Sequence, residues 1–241
     1  MPAGCRGIFE RVRRTGQKLL RFDRRLGARF VAGTDEAGRG SLAGPLVVAG
    51  VLLDYACLRE HRVRPLTYLN DSKQVAADDR ETLYRGIVGC AERIVVRVVP
   101  ADEIDRCGLH RSNLDAMRAI LHTLTPPAEA CLVDGFRLGA SAPEHTAVVD
   151  GDTKSAAIAA ASIVAKVTRD RLMRRMDAVY PHYGFASHVG YITPSHSAAV
   201  RRIGPSDIHR RSFQALCYRT DGYREQSNRG EDDAPLVAAE A

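Results

Sequence analysis

Two stretches near the start of the chain, Ala28–Thr34 and Leu46–Leu53, carry the dense apolar content of buried strands. Between them lie Gly38, Gly40, Gly44 and Pro45, the residues of a sharp turn, so the pair predicts a hairpin. Ala77–Arg93 then reads as a helix, with Asp78 and Asp79 near its positive end. Ile94–Val99 is a short β-like run, and Arg111–Leu124 is helical up to the break at Pro126-Pro127. Ala130–Asp134 and Thr146–Val149 are two further short strands. Ser155–Tyr180 is a long helix, small and apolar first and charged later, ending before Pro181. The run Ala156–Ala161 lets that helix pack closely on a sheet. Strands alternating with helices predict an α/β domain.

The ends differ from the body. Residues 1–27 are Arg-rich with scattered apolar positions and form a basic arm, either an amphipathic helix or a disordered lead-in. Residues 225–241 set Arg229 against Glu225, Glu231, Asp232, Asp233 and Glu240, with little to bury, and are expected to be a disordered acidic tail. The body, 28–224, is the expected catalytic domain. A net charge of +6 over 241 residues suits a polyanionic partner without requiring one. No apolar run approaches the roughly 20 residues of a membrane helix, and none follows the basic start as a secretory signal would. The six cysteines (Cys5, Cys57, Cys90, Cys107, Cys131, Cys217) form no C-x-x-C pair and read as reduced thiols of a cytoplasmic protein.

Acidic residues recur at the carboxyl ends of the predicted strands: Asp35 and Glu36, Asp134, and Asp152 just after Thr146–Val149. Sites in open α/β sheets gather there. Four converging carboxylates repel one another unless cations bind, and such hard oxygen donors suit Mg2+ or Mn2+. A pair of those ions can activate water and stabilise the leaving oxygen of a phosphodiester. Each acid also has an ordinary role: Asp134-Gly135 is a common turn pair, Asp152 is well placed as a helix N-cap, and Asp35 and Glu36 can be loop acids. Neighbours in a strand point to opposite faces, so Asp35 and Glu36 are expected to share a site because the strand ends and the pleat breaks at Ala37-Gly38-Arg39-Gly40. Gly38 and Gly40 also open the backbone to close approach by a phosphate or sugar.

Other segments suit nucleic acid. Asn70-Asp71-Ser72-Lys73 offers a hydroxyl and an ammonium before a helix, as a phosphate grip or a capped helix start. Tyr180, His182, Tyr183, Phe185, His188 and Tyr191 are either core packing or a surface on which a sugar or base stacks. His209-Arg210-Arg211-Ser212-Phe213 is a basic cluster, solvated or against phosphate.

In order along the chain, Gly33-Thr34-Asp35-Glu36-Ala37-Gly38-Arg39-Gly40, Asn70-Asp71-Ser72-Lys73, Val133-Asp134-Gly135, Gly151-Asp152-Thr153-Lys154-Ser155 and Ala160–Asp170 closely resemble bacterial ribonuclease HII. So do Tyr183-Gly184-Phe185, Gly190-Tyr191-Ile192-Thr193 and His209–Phe213, and the resemblance spans about 30–214. It implies a ribonuclease H-like mixed sheet flanked by helices, with a helical C-terminal part. It implies endonucleolytic cleavage of RNA in RNA–DNA hybrids and at single ribonucleotides in duplex DNA, a role in ribonucleotide excision during DNA replication and repair. The resemblance carries the catalytic and metal-binding quartet onto Asp35, Glu36, Asp134 and Asp152, with Mn2+ or Mg2+ as cofactor. Gly38-Arg39-Gly40 would read the ribose 2′-hydroxyl through the backbone, and Tyr191 would stack against the sugar. Ser72 and Lys73 fall on positions that grip DNA phosphate, and Lys154, Lys166, Arg210 and Arg211 are further candidate phosphate contacts. Where the family commonly carries Lys before the Gly-Tyr pair, Val189 stands here. The expected protein is a monomer acting on nucleic acid, away from membranes. A junction-cutting nuclease and a non-catalytic nucleic-acid binder are the competing readings.

Overall fold

A computed structural model describes residues 15–58, 65–69 and 77–218. Ser72, Lys73, the first part of the basic arm and the acidic tail lie outside these residues. Five strands, β1 (Phe30–Ala37), β2 (Leu46–Asp54), β3 (Arg93–Val99), β4 (Ala130–Asp134) and β5 (Thr146–Val148), form one sheet in the order β3-β2-β1-β4-β5. β1, β2 and β3 pair antiparallel, and β4 and β5 add parallel to β1. The sheet is therefore mixed and the fold α/β, with β1 at the junction of its two halves.

Alternation along the strands sends side chains to two cores. Val31, Val47, Ala49, Val51, Leu53 and Leu132 face one side. There they meet α5 (Ala156–Val179), α2 (Ala77–Cys90) and α1 (15–24). Ala32, Leu46, Val48, Leu52, Cys131 and Val133 face the other side, covered by α4 (Leu109–Leu124). The alanine-rich start of α5 lies so close to β1 that a Cβ at Gly33 would overlap the Ala157 backbone. The helical C-terminal part, with α6 (Phe185–His188) and α7 (Pro194–Ile203), packs around Leu42, Met173, Tyr183, Phe185 and Val200. Isolated bridges Ser41↔Tyr191 and Ala43↔His209 pin it to the turn after β1.

The structure departs from the sequence reading at the end of β1, at a helix before α4 and at the cap of α5. β1 does not stop at Thr34; it runs to Ala37, with Asp35 and Glu36 still paired to Ala49 and Val48. A helix, α3 (Ala101–Cys107), precedes α4 and was not anticipated, because only Ala101 and Ile104 are buried and no apolar period shows over seven residues. The N-cap of α5 is Ser155, whose side chain accepts from Ile158 N, and Asp152 sits earlier in the 3-10 turn Gly151–Thr153. Of the two alternatives for the basic arm, residues 15–24 take the helical one, with Leu19 and Leu20 in the core and Asp23 fully buried.

Candidate active site

The carboxyl ends of β1 and β4 lie side by side because the strands are parallel, and their last matched pair is Thr34↔Val133. The next residues are Asp35 and Asp134. Asp134 Oδ1 accepts from Gly151 N at 2.7 Å, which folds the Gly151–Thr153 turn back over the strand ends and brings Asp152 with it. Asp35, Glu36, Asp134 and Asp152 then line one cavity of about 290 Å³, together with Gly38, Arg39, Gly40, Ser162, Lys166 and Tyr191.

The pleat is intact, so the two β1 acids leave on opposite faces. Asp35 shares the α5 face with Val31, and Glu36 shares the α4 face with Ala32. They meet at one cavity because β4 ends at Asp134, level with Asp35, and leaves the end of β1 uncovered. Asp35 Oδ1 accepts from Glu36 N at 2.7 Å. Glu36 Oε1 receives the Arg39 guanidinium at 3.5 Å, while its Oε2 is buried without a hydrogen-bond partner.

The electrostatics are those of crowded acids. Burial, then Glu36 and Asp134, push the Asp35 carboxyl well above the usual carboxylate range, and Ser162 acts against them. Burial also raises Glu36, countered by Asn113 and Arg39. Among the described residues no three His, Cys, Asp or Glu side chains already form a ligating cluster. The donor set nevertheless fits a hard divalent cation: carboxylate oxygens only, desolvated, mutually repelling, one of them unpartnered.

The turn Gly38-Arg39-Gly40 borders these acids. Gly38 has φ +93°, and a Cβ there would overlap Arg169 Nε. Two fully buried arginines hold this region from behind. Arg169 donates to the carbonyls of Pro45, Val189 and Ala43. Arg210 donates to the carbonyls of Gly44 and Arg39. Arg210, expected among the phosphate contacts, is instead scaffold, since its guanidinium is sealed from solvent.

The remaining candidates separate by position. Lys166 lines the cavity, pairs with Asp170 at 2.8 Å and sits 5.0 Å from the Tyr191 ring centroid. Lys154 is exposed and donates to Val149 O, and Arg211 is exposed with its backbone N–H on Asp105. Of the aromatic segment, Tyr183, Phe185 and His188 are core, whereas Tyr191 borders the acids. Sequence reasoning did not single out Ser162, Asn113 or Arg169. The helical spacing of Ser162, Lys166 and Arg169 on α5 is the signal that marks two of them as one face. Val189 adopts φ +44°, an uncommon conformation for a β-branched residue, and its carbonyl is one of those Arg169 holds.

The chain is similar to several known proteins. The family profile described as ribonuclease HII matches residues 32–216. Ribonuclease HII of Geobacillus kaustophilus is 44% identical over 200 residues, covering 82% of this chain and 74% of that one. The enzyme of Mycobacteroides abscessus is 47% identical over 189 residues, covering 78% and 79%. The crystal structure of ribonuclease H2 from Pyrococcus horikoshii OT3 superposes with a TM-score of 0.66 at 25% identity, covering 85% of this chain and 100% of that one. Among the described residues no helix is long and apolar enough to cross a membrane. The chain belongs to the ribonuclease HII family, the metal-dependent endoribonucleases that cleave the RNA strand of RNA–DNA hybrids.

Proposed function

We propose that this chain also cuts at single ribonucleotides embedded in duplex DNA, on the 5′ side of the ribonucleotide, leaving 3′-hydroxyl and 5′-phosphate ends. The observation that carries the reading is one cavity lined both by the four carboxylates and by Gly38-Arg39-Gly40 with Tyr191. Asp35, Glu36, Asp134 and Asp152 would hold Mn2+ or Mg2+. Bound as a pair, those ions supply an activated water and charge stabilisation of the leaving 3′ oxygen. The protein's part is recognition and positioning. The backbone of Gly38-Arg39-Gly40 reads the 2′-hydroxyl, which is a donor and acceptor that DNA lacks. Tyr191 offers its ring to the sugar, and Lys166 beside it is placed to meet a phosphate. Lys154 and Arg211, both exposed, are further phosphate contacts, with Ser72 and Lys73 of the segment outside the described residues. We read the enzyme as a cytoplasmic monomer, in keeping with Cys57, Cys90, Cys107, Cys131 and Cys217 standing outside any disulfide among the described residues.

The test is a labelled DNA duplex carrying one ribonucleotide, incubated with Mn2+, with Mg2+ and with chelator. A single metal-dependent cut 5′ to the ribonucleotide is expected, with an all-DNA duplex left intact. Cutting of a long hybrid but not of this duplex would remove the embedded-ribonucleotide reading.

A further inference from the structure

The buried stripe of α4 contains Asn113, Ala116, Met117, Ile120, Leu121 and Leu124. Spacing of three and four residues along an inward face calls for apolar side chains throughout. Asn113 breaks that rule in the first turns of the helix, next to the buried hydroxyl of Ser112. It is completely buried, and neither its Nδ2 nor its Oδ1 has a partner at full hydrogen-bond geometry, although the carboxamide is near enough to Glu36 to act on it. A buried carboxamide left in this state destabilises a fold, so it calls for a reason. The reason lies across from it. Glu36 leaves the sheet on this same α4 face, away from Asp35, and its Oε2 is also buried and unpartnered. Asn113 is the neutral group that acts most strongly against the burial of that carboxyl. Two buried groups of complementary character, a donor and an acceptor, thus lie on one face of the sheet, close enough for Asn113 to act on the carboxyl.

We propose that Asn113 is a positioning residue for Glu36: its Nδ2 donates to Glu36 Oε2 and aims the carboxylate around the end of β1 into the cavity when a divalent cation binds. The inference rests on the reading of Glu36 as a metal ligand. It explains how the one acid on the wrong face of the sheet is made to join the others. Asp35 has Ser162 and the Glu36 amide to hold it, and Asp134 has the Gly151 amide. Among the described residues Glu36 has the long Arg39 contact at 3.5 Å and the loosely placed Asn113 carboxamide to hold it. Metal-binding carboxylates are commonly oriented by hydrogen bonds of this kind.

The test titrates Mn2+ alone into the full chain by calorimetry, with bound Mn2+ also read by electron paramagnetic resonance, for the parent, Asn113→Leu, Glu36→Gln and the double variant. Leu matches Asn in shape and removes both unsatisfied atoms. Asn113→Leu is therefore expected to unfold at a temperature no lower than the parent, yet to bind Mn2+ about 10–100-fold more weakly. At saturating Mn2+ its kcat on an RNA–DNA hybrid should fall while KM holds. Adding Asn113→Leu to Glu36→Gln should cost nothing further, since both act through one carboxylate. Asn113→Ala supports the same comparison if the Leu variant does not fold. Weakened binding in Glu36→Gln with parental binding in Asn113→Leu would overturn the proposal alone. Additive losses in the double variant would do the same. Parental Mn2+ binding in Glu36→Gln would overturn the underlying ligand assignment as well.

Discussion

Arg169→Met tests whether the turn after β1 is held in place from behind. The guanidinium is fully buried and donates to three carbonyls, Pro45 O at 2.9 Å, Val189 O at 2.8 Å and Ala43 O at 3.0 Å. Hydrogen bonds from a charged donor contribute roughly 1.5–3 kcal/mol each, which would sum to about 4.5–9 kcal/mol. Two effects reduce the total: a buried cation no longer needs desolvating, and the freed carbonyls can recruit water. The expected loss is about 3–5 kcal/mol, the range for removing one partner of a buried charged network. For a domain of this size that lowers the melting temperature by on the order of 10 °C. Met keeps most of the aliphatic volume, so packing loss is not the main term. Calorimetry or urea denaturation reads the stability, and hybrid cleavage well below the melting temperature reads the consequence for the turn. Because Arg169 also lies 5.4 Å from the Tyr191 ring centroid, kcat/KM should fall with stability. A variant within about 1 kcal/mol of the parent, cleaving at the parental rate, would refute the scaffold role.

Further outcomes follow from the same geometry. Gly38→Ala meets both an unfavourable φ of +93° and the Arg169 side chain, so cleavage of a single-ribonucleotide duplex should drop by an order of magnitude or more while Mn2+ binding survives; parental cleavage would contradict the tight turn. Asp23→Ala removes the acceptor of Tyr55 Oη at 2.7 Å and of Ala157 N at 2.9 Å at the start of α5, and should cost about 2–4 kcal/mol by thermal unfolding; a neutral result would detach residues 15–24 from the fold. Burial depresses His196 and His209 from the ordinary 6.5 to about 4 each, so the folded state favours neutral rings. Their contribution to stability is present above pH 6.5 and is lost as pH falls toward about 4, and urea midpoints measured across that window should decline; a flat profile would contradict the burial of the pair.

Much of the sheet was legible because strand residues alternate between two buried faces. Ala130–Asp134 matches the observed β4 from end to end. What was not legible depends on chain segments distant in sequence. The pleat rule demanded a break between Asp35 and Glu36, but the structure resolves the conflict by ending β4 early rather than β1. Asp152 reads as a helix cap in isolation; Asp134 instead holds its turn by a bond to Gly151 N, seventeen residues away. Arg210 reads as a surface cation, and only the C-terminal part folding against the turn after β1 shows it buried between Gly44 and Arg39. Asn113 carries no motif at all, and its character emerges only once its helix face is known to be inside.

The central claim is that the carboxylates at the strand ends carry the hydrolysis. Asp134→Asn preserves the size of the side chain and an oxygen for the Gly151 amide, so the fold should survive with its melting temperature nearly unchanged. It removes the negative charge a divalent cation requires. The decisive measurement is the single-turnover cleavage rate of an RNA–DNA hybrid by this variant, at saturating Mn2+ and at saturating Mg2+. A fall of about 10³-fold or more is expected with either ion, on the scale of losing a principal electrostatic contribution to catalysis. Cleavage at the parental rate by the folded variant would contradict it.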